Sequence, residues 1–205
     1  MIAPPERSAE RDAALQAMLS HVPFDGWTIR ALRMGLVQIG ESPDDAALLF
    51  PGGAADMIEA FCDWADRRME AAAGAMMNPE MRLSSRVRTV IALRLAQNRP
   101  HREAVRRAVA LLALPRHARL AAACTARTVD AIWHAAGDSS ADFSWYTKRG
   151  ILAAIYSATL LYWLRDAGED DAATLAFLDR RLAAHARLQR SLQRAGGLAR
   201  RLRPA

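Results

Sequence analysis

Apolar residues recur along almost the whole chain with the 3.6-residue spacing of an amphipathic α-helix, and no segment alternates convincingly like a β-strand. Alanine, leucine and arginine are abundant, while runs rich in valine and isoleucine are few, which also favours helices. Proline, glycine and polar turn residues separate the helical segments. The sequence therefore predicts an all-α protein with helices at residues 8–21, 27–39, 43–49, 52–73, 79–97, 100–113, 115–136, 143–166 and 171–195.

The spacing of these helices divides the chain into parts of different character. With 205 residues, of which 52% are hydrophobic, the chain is long enough to bury a sizeable core. Residues 8–50 hold short helices that form a helix-turn-helix-like part, with Ser42 as a candidate cap of the third helix. Residues 51–170 hold the longer helices of a body. Residues 171–195 form an amphipathic last helix, and residues 196–205 form a basic, flexible tail.

The longest uncharged stretch is too short to cross a membrane. Residues 150–164 carry no charge over 15 positions, whereas a spanning helix needs about 20 apolar residues, so we predict a buried core helix there. The first residues lack the apolar segment of a secretory signal, and Cys62 and Cys124 lack CxxC spacing. These features predict a soluble cytoplasmic protein whose two cysteines are reduced thiols rather than a disulfide or metal ligands.

Short N-terminal helices followed by a longer helical body form the outline of a tetracycline-repressor-type (TetR) fold, in which residues 43–49 would be the reading helix. DNA readers need cations for phosphate contacts, but residues 34–66 contain no lysine or arginine. The net charge of +6 comes from the end of the chain, because residues 180–205 carry eight arginines and no acid. We therefore predict that the chain binds no nucleic acid. The acids in the cation-free stretch are Glu41, Asp44, Asp45, Asp56, Glu59, Asp63 and Asp66.

Two large aromatic residues and two cations meet on the first turn of the predicted eighth helix. At 100° per residue, Trp145, Lys148 and Arg149 share a face and Tyr146 flanks it. Cations in a first turn oppose the helix dipole, which favours a functional reason for them, such as docking of a partner protein or of a lipid headgroup. The alternative is an ordinary first turn whose rings cover the core and whose cations are solvated. Asp142 is a candidate cap of this helix.

The last helix is strongly amphipathic. Its leucines fall in one arc, which Arg181 interrupts, and most of its arginines fall in the opposite arc. An arginine-faced helix of this kind is typical of a protein that touches an anionic membrane surface. A last helix packed on the body or on a dimer mate is the alternative. The residues predicted to contact the membrane are Leu178, Leu182, Leu188, Leu192 and Arg181.

Apolar residues at helical spacing in the body are candidates for the lining of a lipid pocket, and a place in the ordinary core is the alternative for each. The five histidines show no i, i+4 pairing and no Glu-x-x-His motif, so we predict no metal site. No nucleophile–base arrangement, carboxylate dyad or phosphate loop stands out, so we predict no catalytic residue and no cofactor. The pocket candidates are Met57, Phe61, Trp64, Met69, Leu83, Val87, Ile91, Leu95, Leu112, Leu120, Ile132, Trp133, Ile155 and Leu160.

Three segments together resemble a known family. They are residues 24–28 (FDGWT), residues 49–53 (LFPGG) and, most specifically, residues 142–156 (DFSWYTKRGILAAIY). In these segments the chain is similar to the ubiquinone (coenzyme Q) biosynthesis accessory proteins that bind lipids and have a TetR-like fold. The resemblance runs over about residues 10–195.

This resemblance implies a non-catalytic homodimer with a hydrophobic lipid pocket and a last helix that touches membranes. Such a protein presents an isoprenoid quinone precursor, or holds a phospholipid, for a quinone-ring hydroxylase, with the di-iron demethoxyubiquinone hydroxylase as the implied partner. Trp145 and Tyr146, with Lys148 beside them, are then the partner-docking residues, and Arg149 lies near a lipid headgroup. We therefore predict a protein peripheral to the inner face of the membrane. A ligand-sensing TetR-type regulator is the alternative function.

Overall fold

The computed structural model describes residues 4–76, 78, 80–138, 145–168 and 170–201, and at 145, 146 and 188–201 it describes the backbone alone. Every regular element in these residues is helical, which confirms the predicted all-α class. The helices are α1 (Ala9–Met18), α2 (Val22–Asp25), α3 (Ile29–Gln38), α4 (Ala46–Leu49), α5 (Gly53–Met76), α6 (Leu83–Asn98), α7 (Arg102–Leu112), α8 (Ala118–Ala135), α9 (Trp145–Arg165) and α10 (Ala172–Arg201), with 3₁₀ turns at Pro43–Asp45, Arg99–His101 and Pro115–His117.

The contacts divide the chain into two compact units, Met1–Ala153 and Ala154–Ala205, and the division falls within α9. In the first unit, α5 packs along α8 and α6, and α1 packs against α3 and α5. The second unit contains the rest of α9 and all of α10. The part boundaries predicted at residues 50 and 170 stay predictions.

Hydroxyl side chains cap α3 and the 3₁₀ turn at Pro43–Asp45. Thr28 accepts a hydrogen bond from the backbone N–H of Ala31 at 3.2 Å, so α3 begins at Ile29 and not at residue 27 as predicted. Ser42 accepts a hydrogen bond from the backbone N–H of Asp44 at 3.3 Å. The predicted cap at Ser42 is therefore confirmed, although the segment that it starts opens as a 3₁₀ turn before α4.

Several other boundaries differ from the prediction. Residues 22–25, which fall in a predicted break between helices, form the single turn α2, because proline is tolerated in a first helical turn. The backbone of Arg82 is extended (ψ 141°), so α6 begins after it and not at residue 79. The last helix continues past the predicted end at 195 to Arg201. The remainder of the predicted tail, residues 202–205, lies outside the described residues.

Gly35 allows α3 to lie directly against α1. A Cβ atom added at Gly35 would lie 2.6 Å from the backbone nitrogen of Met18, which is closer than Cβ atoms approach such neighbours in real structures. Leu15 and Leu32, on the facing sides of the two helices, are fully buried. The two helices therefore pack backbone to backbone, and no larger residue fits at this crossing.

Arg11 joins α1 to the turn that precedes α5. Its side chain is buried, donates hydrogen bonds to the carbonyl oxygen of Leu49 and to Oδ1 of Asp56 (2.6 Å), and lies 4.3 Å from the ring centroid of Phe50. A buried guanidinium needs such partners, because an unpaired charge is costly away from water. The segment at residues 49–53 therefore has a structural role, because its Leu49 carbonyl group and its Phe50 ring both contact Arg11.

Two hydrogen bonds connect the segment at residues 22–28 to α7. The indole Nε1 of Trp27 donates to the carbonyl oxygen of Ala104 at 3.0 Å. The guanidinium of Arg107 donates to the carbonyl oxygen of Pro23 at 2.7 Å. Both hydrogen bonds join the segment at residues 22–28 to α7. Contacts with the body therefore help to position this segment.

Candidate functional site

The first turn of α9 carries the predicted docking residues. The helix begins at Trp145, and its backbone places Trp145, Lys148 and Arg149 on one face, as the spacing predicts. The side chain of Lys148 is half-buried. The side chains of Trp145 and Tyr146 lie outside the described part of the chain, and so does Asp142, the predicted cap. The docking role of this turn therefore stays a prediction.

Arg149, which was predicted to lie near a lipid headgroup, forms an ion pair with Asp130 of α8. Its Nε donates a hydrogen bond to Oδ1 of Asp130. The two side chains keep 21% and 34% of their exposure, so water screens the pair only in part. The pair holds the first turn of α9 on α8. A lipid phosphate at this position would therefore compete with the carboxylate of Asp130.

The pocket candidates divide into a buried and a half-buried group. Half-buried are Leu83, Leu112, Leu120, Trp133 and Leu160. Both a pocket lining and an ordinary core require burial, so the lining role stays a prediction. Ile155 and Leu160 belong to the second unit, and the other candidates belong to the first. The buried candidates are Met57, Phe61, Trp64, Met69, Val87, Ile91, Leu95, Ile132 and Ile155.

A row of aromatic rings runs through the first unit. The ring centroids of Trp27, Phe61, Trp64 and His101 follow one another at 5.3, 6.1 and 6.2 Å, distances at which aromatic rings attract each other. The guanidinium of Arg68 lies 4.5 Å from the Trp64 ring centroid. Burial and the charge of Arg68 lower the pKa of His101, so its ring is neutral near physiological pH. Our sequence prediction missed Trp27 and His101, because no local spacing connects rings that lie far apart in the chain.

One of the predicted pocket residues has an unused hydrogen-bond donor. The Nε1–H of Trp133 on α8 is shielded from water and has no partner among the described residues. A buried donor without a partner costs about 1–3 kcal/mol. An oxygen atom on a ligand could satisfy this donor. Trp133 therefore has the chemistry to orient a polar group of a molecule bound in the body.

Two surface grooves lie among the N-terminal helices, with volumes of about 420 and 250 Å³. None of the pocket candidates lines either groove. Exposed apolar side chains contribute to both, with Val37 in the first and Leu48 in the second. The first groove is lined by His21, Arg33, Met34, Val37, Gln38 and Pro43, and the second by Glu10, Ala13, Leu36, Ile39, Glu41, Asp45, Leu48 and Leu49.

A buried carboxylate links the three longest helices of the first unit. Asp66 of α5 accepts a hydrogen bond from Oγ1 of Thr128 on α8 at 3.0 Å, and it lies 3.1 Å from the guanidinium of Arg94 on α6. Burial raises the pKa of Asp66 to about 6, although Arg94 and Thr128 both act in the opposite direction. In the described part of the chain, no group of three or more His, Cys, Asp or Glu residues could hold a metal ion.

In the second unit, α9 and α10 join through aromatic and polar contacts. The rings of Tyr162 and Phe177 are stacked with centroids 4.6 Å apart. The indole Nε1 of Trp163 donates a hydrogen bond to Oδ1 of Asp171 at 3.1 Å. The guanidinium of Arg181 lies 5.1 Å from the Phe177 ring centroid. This cation–π contact stabilises a charged side chain within the apolar arc of α10.

The predicted membrane-contact residues differ in exposure. Leu178 is fully buried, Leu182 is half-buried and Arg181 is exposed. The side chains of Leu188 and Leu192 lie outside the described part of α10. Among the described residues, no helix combines the length and the hydropathy that crossing a bilayer requires. The predicted contact of α10 with a membrane surface therefore stays a prediction.

Comparison with known proteins decides the family. The family model described as COQ9 matches residues 118–189. A Schizosaccharomyces pombe protein, "Ubiquinone biosynthesis protein coq9, mitochondrial", is 33% identical over 179 residues, which cover 85% of this chain and 69% of the yeast protein. The chain belongs to the COQ9 family.

Animal members of the COQ9 family show the same similarity over a smaller share of their length. The rat protein "Ubiquinone biosynthesis protein COQ9, mitochondrial" is 33% identical over 82% of this chain, and the match covers 56% of the rat protein. The Drosophila melanogaster protein of the same description is 34% identical over 93% of this chain and 59% of its own. The chain thus spans somewhat more than half the length of these two relatives.

A solved structure confirms the predicted TetR-like fold of this COQ9 family chain. A TetR transcriptional regulator from Nitrosomonas europaea superposes with a TM-score of 0.68 over 87% of this chain and 99% of the regulator. The two sequences are 22% identical, and a similarity at this level shows the fold alone. The match agrees with short N-terminal helices followed by a longer helical body.

Proposed function

We propose that this chain is a non-catalytic accessory protein of ubiquinone biosynthesis that binds an isoprenoid quinone precursor or a phospholipid and presents it to a quinone-ring hydroxylase. Membership of the COQ9 family, whose members carry names from ubiquinone biosynthesis, supports the pathway. The observation that carries the binding role is the buried indole N–H of Trp133, which has no partner in the part of the chain that the structure describes and lies on a helix rich in apolar side chains. Such a donor fits a ring oxygen next to a hydrophobic tail.

In this proposal the body removes the ligand from water. The apolar faces of α5, α6 and α8 surround the isoprenoid tail, which is driven inside by the hydrophobic effect at about 25 cal/mol per Å² of apolar surface. Leu83, Leu112 and Leu120 are half-buried, and in this proposal they lie at the edge of the binding region. Trp133 orients the polar end of the ligand by a hydrogen bond. The chain contributes desolvation and orientation, and the hydroxylase performs the chemistry.

In this proposal, two surfaces of the protein, α10 and the first turn of α9, bring the bound ligand to the hydroxylase. We propose that α10 touches the inner face of a membrane with its arginines, each of which is worth about 1 kcal/mol near an anionic surface. Trp145, Tyr146 and Lys148 then contact the hydroxylase, and Arg149 exchanges Asp130 for a lipid phosphate. The names of the relatives place those proteins in mitochondria.

Mass spectrometry of lipids extracted from the purified protein tests the binding role. We expect the wild-type protein to carry an isoprenoid or acyl lipid. The Trp133→Phe variant keeps the apolar ring and lacks the N–H, so it should lose quinone precursors while it retains acyl lipids. Trp163→Phe is the control, because the Trp163 N–H already donates to Asp171. A wild-type protein that carries no such lipid and binds none when supplied with it would refute the binding role.

A pull-down with the quinone-ring hydroxylase of the same cell tests the docking role. The double variant Trp145→Ala/Tyr146→Ala should weaken binding by at least about tenfold, because large aromatic residues dominate protein interfaces. Lys148→Ala should weaken it less. Phe24→Ala is the matched control, since Phe24 is an aromatic residue with 84% exposure outside this turn. Equal binding of the double variant and the control would show that the first turn of α9 is not the docking site.

A further inference from the structure

The second of the two surface grooves, between α1, α3 and residues 43–49, exposes apolar side chains in a concave surface. Ile39 and Leu48 line it and are 44% and 80% exposed. Leu36, which is 1% exposed, and the half-buried Leu49 line it as well. A concave apolar surface bordered by polar residues is typical of a site for another molecule.

Three carboxylates line the same groove, which we call the acidic groove. They belong to Glu10 in the first turn of α1, Glu41 after α3 and Asp45 in the 3₁₀ turn before α4. None of the three forms an ion pair with a residue that the structure describes, and no lysine, arginine or histidine is among the described lining residues. Residues 34–66 contain no lysine or arginine. The groove therefore attracts cations and repels anions.

Contacts within the N-terminal helices fix the shape of the acidic groove. Gly35 allows α3 to lie against the backbone of α1. The buried Arg11 of α1 donates a hydrogen bond to the carbonyl oxygen of Leu49. The backbone N–H of Glu41 donates to the carbonyl oxygen of Leu36 at 3.0 Å. Because these walls are already ordered, a partner that binds here pays a smaller entropic cost.

The size and lining of the acidic groove favour a helix over other ligands. Its volume of about 250 Å³ is below the range of about 300–1,000 Å³ that is usual for small-molecule sites. The described residues contain no strand whose edge could pair with an extended peptide, and no aromatic ring among them lines the groove as proline-rich ligands require. An amphipathic helix that inserts apolar side chains is the recognition mode that fits.

We propose that the acidic groove docks a basic amphipathic helix of a partner protein. Apolar side chains at positions i, i+3 and i+4 of that helix pack beside Ile39 and Leu48. Its lysine or arginine side chains contact Glu10, Glu41 and Asp45. This surface shares no residue with the first turn of α9, so it is a second docking surface beyond the proposed contact with the hydroxylase, and it does not depend on a bound lipid.

Fluorescence anisotropy with the full chain and a designed peptide tests the proposal. The labelled peptide has about 14 residues, or four helical turns, with leucine at positions i, i+3, i+4 and i+7 and lysine on both sides of this stripe. We expect saturable binding that weakens as salt is added. A peptide with glutamate in place of lysine should not bind, and one whose leucines do not share a face should bind at least about tenfold more weakly. No binding of the basic peptide, or equal binding of the glutamate peptide, would overturn the proposal.

Charge variants assign the binding to the acidic groove. Glu41→Gln/Asp45→Asn should weaken binding of the basic peptide roughly tenfold, because two ion pairs with the helix are lost. Glu80→Gln/Asp170→Asn is the matched control, since it removes the same two charges from exposed residues outside the groove, and it should bind like the wild type. Equal losses in the two double variants would show a general charge effect and would overturn the proposal.

An apolar variant tests the other half of the recognition. Leu48→Gln should weaken binding of the basic peptide several-fold, whereas Leu114→Gln, the same change at a leucine with 38% exposure outside the groove, should not. Thermal unfolding of both variants shows whether the fold is kept, because substitutions at exposed residues change stability little. Equal binding by the two leucine variants would overturn the proposal. So would a shift of the Leu48→Gln variant to a smaller oligomer, because a second copy of the chain would then be the occupant of the groove.

Discussion

At the scale of single residues, the buried carboxylate of Asp66 is the clearest source of pH dependence. Its pKa is 3.8 in an unfolded chain and about 6 in the folded protein. Protonated Asp66 therefore stabilises the fold below about pH 4, and this contribution is lost as the pH rises through about 6. The shift corresponds to at most about 3 kcal/mol, since one pKa unit is worth about 1.4 kcal/mol.

The variant Asp66→Asn tests this linkage, because an amide cannot ionise and can still accept the hydrogen bond from Thr128. Urea unfolding should be measured between about pH 4 and pH 7. We expect the free energy of unfolding of the wild type to fall, relative to Asp66→Asn, as the pH rises. Asp44→Asn removes an exposed acid and serves as the control. A difference between wild type and Asp66→Asn that does not change with pH would contradict the raised pKa.

The crossing of α1 and α3 makes a second residue-scale prediction. Gly35→Ala places a methyl group against the backbone of Met18 and should lower the free energy of unfolding by about 1–3 kcal/mol. Gly74→Ala is the same substitution at an exposed helical position with no atom within 4 Å of the new Cβ. It should raise stability by about 0.5–1 kcal/mol, because alanine is the better helix former. Opposite signs in chemical denaturation are the expected result, and equal effects would argue against the close crossing.

At the scale of elements, α10 is the helix whose proposed partner is a membrane. Removing the chain after Asp179 should abolish flotation with anionic vesicles, because this deletion removes eight arginines. The triple variant Arg180→Gln/Arg181→Gln/Arg187→Gln removes three of them and should weaken binding roughly 100-fold, at about 1 kcal/mol for each arginine.

The control for this flotation experiment carries the same charge change elsewhere. Arg106, Arg116 and Arg119 are exposed and lie in or near α7 and α8, so replacing all three with glutamine tests whether net charge alone explains binding. Equal losses in the two triple variants would point to net charge, and unchanged flotation of the deleted chain would rule out α10 as the membrane contact.

At the scale of the whole molecule, the TetR-like fold and the family resemblance predict a homodimer. Light scattering should give twice the mass of one chain. Leu161 is 52% exposed and lies in the uncharged, largely apolar stretch of α9, and we predict that the second copy of the chain covers it. Leu161→Arg should therefore shift the protein towards the monomer, whereas Leu48→Arg, at a site with 80% exposure, should not. A monomeric wild type, or no effect of Leu161→Arg, would contradict this prediction.

The fold could be predicted from the sequence because its signals are local. Helical periodicity and a cap such as Ser42 depend on neighbours a few positions away. The ion pair of Arg149 with Asp130 and the hydrogen bond of Thr128 to Asp66 could not be predicted, because tertiary packing decides which distant residues meet. The same limit applies to the candidate site. The sequence shows that Trp133 is aromatic, but only the structure shows that its indole N–H is buried without a partner among the described residues.

The contacts of Trp27 with the body give the N-terminal helices a structural role, although the acidic segment 43–49 does not suit DNA binding. Its indole ring covers Phe61, the ring next to it in the aromatic row, and its N–H occupies a carbonyl group of α7. Cutting the chain ahead of α5 would leave a bare aromatic surface and an orphaned acceptor. The N-terminal helices thus shield the aromatic row from water, and an isolated body would be expected to precipitate.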